Sequence, residues 1–306
     1  MTDKSAVFQL MGETTASIFP LARHLMQPLF EEKFTEQRFY GPIFLAYNRA
    51  PEPISQDLLF RRNPYANPES VAELLEGAAE AGYIKSDGAG GFQIAKRGSA
   101  AIEAVHDVFY SYINQVNQFS ASKLNELIAL LAKLVDSVYR TDLTGGKLCF
   151  DLSYQSHIKV DPGSLGHVDQ LLDDLNAFRD DAHVAAWRPF GVDGHTWEVL
   201  TLVWNGEAKT AEKLVERLPY RQYTKSDYQV TLEDLVQKGW IEEGSDGYRI
   251  TDEGKKIRDQ AELDTDANYF GPWKVLMDEE INRVGELLSE LRDINLKLGQ
   301  ELNAEQ

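Results

Sequence analysis

Cysteine is almost missing from this 306-residue chain: Cys149 stands alone, so no disulfide can form within it. Between Leu148 and Phe150 it reads as a small buried hydrophobe, not a reactive thiol. No apolar run approaches the 18 or so residues of a membrane-spanning helix. The opening MTDKSAVFQL has no basic segment leading into an apolar run, so no secretory leader is expected and the expected location is cytoplasmic. Basic residues are also scarce, with 31 Lys+Arg against 49 Asp+Glu and a net charge of −18. The deficit is uneven: residues 1–150 hold 14 basic and 17 acidic residues, and residues 151–306 hold 17 and 32. An acidic field repels nucleic acid at long range. No Ser-His-Asp or Cys-His arrangement stands out by spacing, so no enzyme activity and no cofactor are expected.

What is present is a repeat. Residues 44–84 align with 201–241 at an offset of 157 without a gap. Tyr47-Asn48 falls on Trp204-Asn205, Leu75 on Leu232, and Gly82-Tyr83-Ile84 on Gly239-Trp240-Ile241. One residue is then lost, and Gly91-Phe92-Gln93-Ile94 falls on Gly247-Tyr248-Arg249-Ile250. Each copy reads as an apolar helix, a short second helix and a third helix closed by a C′ glycine, Gly82 or Gly239. Two short strands follow, joined by a Gly/Asp-rich turn, with aromatic and Ile side chains inward at period two. A long helix leaves the hairpin at Ser99 or Thr251. DGAGG (87–91) lies between strands and opens no helix, so it is a hairpin tip, not a phosphate cradle.

Three helices and a hairpin make a winged helix. The expected fold is therefore mainly α with small β-hairpins (α+β): two winged-helix repeats joined by long packing helices about a pseudo-two-fold axis. Half 1 spans 1–150 with its winged core at about 38–98, and half 2 spans 151–306 with its core at about 195–254. Apolar stripes at i, i+3, i+4 and i+7 run along 122–138 and 279–300, and these are expected to pack on each other across the halves. The chain would then be a monomeric pseudodimer. The alternative is a homodimer in which one stripe is the seam.

In this arrangement the chain resembles a MarR-like winged-helix dimer folded into one polypeptide. The segments DDAHVAAW (180–187), TDEGKKIRDQAELDTD (251–266), GPW (271–273) and FYGPIFLAYNRAPEPIS (39–55) are similar to a helix-turn-helix family common in actinobacteria. That resemblance implies the same two-half fold, and it brings no catalytic residues.

The winged-helix reading implies that a third helix enters the major groove of double-stranded DNA, as expected of a transcriptional regulator. In copy 1 that helix carries Glu69, Glu73, Glu76 and Glu80 on one face with no Lys or Arg among them, which suits a basic protein partner better. Lys96 and Arg97 near the wing are the cations there that would meet a backbone. Copy 2 carries Lys213, Arg217, Arg221 and Lys225, with Tyr223, Thr224, Gln229 and the wing Arg249 as further contacts, so half 2 is the expected DNA reader. The plain alternative is that these cations form a solvated face paired with residues such as Glu212 and Glu216. An acidic interaction module or a small-molecule sensor without DNA contact is the alternative function. Arg188, beside Trp187 and Phe190, would anchor an anionic effector, with Trp204 among the aromatics lining a cavity. His157, His167, His183 and His195 cluster in sequence, but no metal-ligand spacing links them; His183 would be the first choice if a site existed.

Overall fold

The computed structural model describes residues 3–156, 158 and 160–304. The first helix, α1 (Lys4–Lys33), is capped by the Asp3 carboxylate, which accepts from the Ala6 amide at 3.0 Å. Then come α2 (Tyr40–Arg49), β1 (Ile54–Ser55), α3 (Gln56–Arg62), α4 (Pro68–Glu80), β2 (Ile84–Ser86), β3 (Gly91–Ile94), α5 (Lys96–Ile113) and α6 (Ala121–Tyr139). A short α7 (Leu148–Tyr154) leads to α8 (Leu165–Trp187). The order then recurs: α9 (Gly194–Trp204), α10 (Ala211–Arg217), α11 (Lys225–Gln237), β4 (Ile241–Gly244), β5 (Gly247–Ile250), α12 (Asp252–Phe270) and α13 (Asp278–Ala304).

The caps explain why the repeated elements begin and end where they do. Ser55 and Thr210 cap α3 and α10, and Asn67 and Thr224 cap α4 and α11. Gly82 and Gly239 follow the third helices with φ of +76° and +72°, so each C′ position takes the left-handed conformation that ends a helix. The wings pair as expected, Ile84 opposite Ile94 and Ile241 opposite Ile250. Strand β1 adds a third strand beside β3 that the sequence pattern does not announce. In the second half a single bond from the Tyr248 amide to the Lys209 carbonyl stands in its place. The expected start of the long helix at Thr251 holds, but its counterpart begins at Lys96 rather than Ser99, because Ala95 occupies the cap position.

The stripes on α6 and α13 are buried inside the chain, but their main partners differ from expectation. Helix α13 lies along α1, and α6 lies along α8. Gly285 lets α13 approach Val7, and the Thr14 hydroxyl donates to the Leu288 carbonyl at 3.2 Å. Helices α6 and α13 also pack on each other as expected, and three ion pairs tie them, Lys123–Glu290, Lys133–Glu280 and Arg283–Glu126. The main partner of α13 differs because α1 supplies the apolar face that it needs. The second helix-and-hairpin unit, α9 to β5, keeps its own core around Trp197, Leu214, Leu232 and Ile241, whereas the first, α2 to β3, shares its core with the helical frame.

Candidate nucleic-acid interface

Helical spacing decides which faces of the third helices are free. On α4, Val71, Leu75 and Ala78 turn inward, and Glu69, Glu73, Glu76 and Glu80 are all exposed. None of the four joins an ion pair among the described residues. On α11, Tyr228, Leu232 and Leu235 turn inward; Lys225, Ser226, Val230, Glu233 and Gln237 face out. The outer face of α11 thus carries one lysine and little other positive charge.

The cations assigned to DNA fall into two groups. Those at the surface are mostly paired with carboxylates. Lys213 reaches Glu216 at 2.6 Å, Lys225 reaches Glu212 at 2.5 Å, and Arg249 reaches Glu242 across the wing at 2.8 Å. The Lys225 ammonium holds the Glu212 carboxyl down at about 2. Gln229 donates to Glu233 and to the Tyr248 hydroxyl, and Thr224 is spent on a capping box with Asp227. Arg217 is exposed and has no ion pair among the described residues. In copy 1, Arg97 donates to the Ala81 carbonyl at 2.6 Å and lies over the Tyr83 ring, so it closes the end of α4.

Arg221 and Tyr223 form the second group, and both face the first helix-and-hairpin unit. The Arg221 guanidinium donates to both oxygens of Glu198, at 3.0 Å from Nε and 2.8 Å from Nη2. It also lies 5.4 Å from the Tyr65 ring centroid, and both members of the ion pair are only 16% exposed. The Tyr223 hydroxyl donates to the Ala66 carbonyl at 3.1 Å, and its ring lies 3.8 Å from that of His195. The Asn67 amide donates to the Gln222 carbonyl at 3.2 Å. Gly194 completes the fit, since a Cβ there would meet the Pro64 carbonyl oxygen at 2.3 Å. The turn before α4 and the turn before α11 are therefore docked on each other. A helix-turn-helix pair reading two half-sites needs its reading helices about 34 Å apart. In this arrangement the helices start side by side.

Residues 163–299 match a helix-turn-helix family. The match runs from the start of α8 to near the end of α13, so this part of the chain carries a helix-turn-helix domain together with its supporting helices. No curated protein and no solved structure matches the chain.

The three residues assigned to an effector do not meet. Arg188 is exposed and lines a cavity of about 260 Å³ with Arg61, Gly145 and Pro189. Trp187 is buried beneath it, stacked on Trp197, and donates to the Tyr65 hydroxyl at 2.9 Å. Trp204 lies in the second unit, and the cation beside it is Arg258, buried between Trp204 and Trp197 at 4.8 and 4.6 Å. Of the clustered histidines, His157 lies outside the described residues. His183 pairs with the Thr265 hydroxyl, and burial pushes its imidazole down to about 4. Among the described residues no group of three His, Cys, Asp or Glu side chains is arranged to hold a metal. Cys149 is buried, and burial raises its thiol well above the ordinary range.

Sequence reasoning missed Glu198, Tyr65 and Arg258. The positions that the repeat equates with Glu198 and Arg258 are Gly41 and Ile102, so comparing the copies gives no signal for either. The i, i+4 pair Arg258–Glu262 was the one visible hint.

Proposed function

We propose that the protein is a DNA-binding transcriptional regulator in which the second winged unit is the reading head and the first is its docked partner. The two halves, residues 1–150 and 151–306, act as a pseudo-two-fold pair that has lost functional symmetry. The observation that carries this reading is the asymmetry of the third helices: α4 presents four unpaired carboxylates, whereas α11 begins beside Lys213, Arg217 and Lys225 on a unit with its own core. Exposed ion pairs are worth about 0–1 kcal/mol, so Lys213, Lys225 and Arg249 can exchange their carboxylates for phosphates at little cost. The reciprocal packing of α1 on α13 and α8 on α6 supports a frame built by duplication.

The test is binding to a mixed-sequence duplex over a range of salt. Four phosphate contacts, from Lys213, Arg217, Lys225 and Arg249, predict a log–log slope of about −3.6. Arg217→Ala with Lys225→Ala should bring it to about −1.8. No binding even at low salt, or a slope that the double substitution leaves unchanged, would refute the assignment.

A second reading rests on the same α4 stripe: Glu69, Glu73, Glu76 and Glu80 form a surface for a basic protein partner. Charge reversal at Glu73 and Glu76 separates the two readings. It strengthens DNA binding if the stripe only repels phosphate, and abolishes co-purification with a basic partner if the stripe is a docking face.

A further inference from the structure

A chain of aromatic side chains runs between α1, α2 and α5. The Tyr40 ring stacks on Phe44 at 5.7 Å, Phe44 meets His106 at 4.9 Å, and His106 meets Tyr110 at 6.1 Å. Tyr110 contacts Phe109 at 5.1 Å, and Phe109 contacts Phe19 at 6.2 Å. These rings line a cavity of about 290 Å³, and the wall contributed by α8 carries two carboxylates, Asp169 and Asp173. The cavity adjoins a larger one of about 540 Å³ that shares Tyr40, Phe44 and Asp173.

Among the described residues neither carboxylate forms an ion pair. Asp169 is 7% exposed, and among the described residues its side chain accepts one hydrogen bond, from the Tyr110 hydroxyl at 3.4 Å. Asp173 has no hydrogen bond or ion pair among the described residues and is exposed at the cavity wall. The nearest guanidinium along α8, Arg179, is committed to Asp266 and lies over Phe8 and Tyr269. His106 accepts from or donates to the Tyr40 hydroxyl at 3.0 Å, and burial pushes its imidazole down to about 4, so at neutral pH it adds no positive charge. Burial, and then the charge of Asp173, push the Asp169 carboxyl well above the carboxylate range; burial, and then Asp174, do the same to Asp173. A buried and an exposed carboxyl facing aromatic rings make a wall that favours a positive charge.

The second half shows what fills the matching place. Trp197, Trp204 and Glu262 correspond to Tyr40, Tyr47 and His106, and there the cation is built in as Arg258 between the two indoles. In the first half the position matching Arg258 is Ile102.

We infer that the cavity between α1, α2, α5 and α8 is a binding site for a hydrophobic organic cation of the quaternary-ammonium type, held by the aromatic rings and neutralised by Asp169 and Asp173. The rings face the cation with their negative π-surfaces, while the alkyl groups displace water from apolar walls. This site does not depend on whether the protein binds DNA.

The probe is phenyltrimethylammonium, set against tert-butylbenzene, which has the same shape without the charge. Calorimetry and thermal shift on the full chain should show saturable binding of the cation at one site and binding at least about tenfold weaker for the neutral probe. Asp173→Asn and Asp169→Asn should each weaken the cation by about tenfold or more, and Phe44→Ala should weaken both probes. Asp169→Asn replaces a buried carboxyl and should fold and melt higher than the parent, and Asp173→Asn, at an exposed position, should fold like the parent. Absence of saturable cation binding, or unchanged cation affinity in Asp173→Asn, would overturn the assignment.

Discussion

Arg221 decides between two accounts of the helix-turn-helix turns. If it holds the two helix-and-hairpin units together, Arg221→Ala removes the partner of a carboxylate that is 16% exposed and strands Glu198. Breaking a fully buried pair costs about 3–5 kcal/mol. The residual exposure places this pair lower, at about 2–3 kcal/mol including the lost stacking on Tyr65. For a chain of this size the melting temperature should fall by about 3–5 °C. Urea melts followed by tryptophan fluorescence suit the measurement, because Trp187 is bonded to Tyr65 at the dock. Glu198→Ala should cost a similar amount, and the double variant should lose about 1–2 kcal/mol less than the sum of the singles. If Arg221→Ala stays within about 0.5 kcal/mol of the parent and adds independently to Glu198→Ala, the dock is not a stabilising contact. Arg221 would then return to the pool of DNA-facing cations.

Other perturbations test other parts of the account. Gly254→Ala drives a Cβ to within 2.0 Å of the Trp240 carbonyl oxygen and into Ile250, so it should destabilise the second wing by about 2–3 kcal/mol in chemical denaturation. Leu288→Ala removes a fully buried side chain between α13 and α1 and should cost about 3 kcal/mol by the same measurement. The raised carboxyls of Asp169 and Asp173 bind more protons folded than unfolded, so their contribution to stability falls as pH rises above the ordinary carboxylate range. Asp169→Asn should therefore gain little in melting temperature at pH about 4.5 and more at pH about 8. The lowered imidazole of His183 has the opposite sign: it binds fewer protons folded, and its stability is lost as pH falls from about 6.5 towards 4. Melting curves of His183→Gln should show a shallower loss across that window.

The repeated part of the fold was legible because its signals are local. Caps at Asn67, Thr224 and Thr251, C′ glycines at 82 and 239, and alternating wing strands each act within a few residues of sequence. Helix α1 was not legible. Its buried face includes Thr14 and Ser17, which bond to carbonyls in their own helix and to α13, so apolar periodicity alone underrates it. The same reason hid the acidic face of α8, where Asp169, Asp174 and Asp181 are buried although aspartate usually is not. Asp174 accepts from Ser153 and Gln170, and Asp181 accepts from the Cys149 and Phe150 amides, so these two carboxylates hold α7 in place. Arg221 looked like a phosphate contact because a basic residue beside a helix-turn-helix turn usually is one. Its partner Glu198 lies 23 residues earlier, on α9, and only the tertiary fold brings them together.

The most direct test of the reading-head assignment is selection of duplexes from a random DNA library at low and near-physiological salt. One docked reading head predicts a short, non-palindromic motif whose enrichment is lost with Arg217→Ala and Lys225→Ala and kept with Glu73→Lys. No enrichment at either salt would contradict DNA reading. A palindrome with half-sites about 10 base pairs apart would contradict the docked arrangement of the two units.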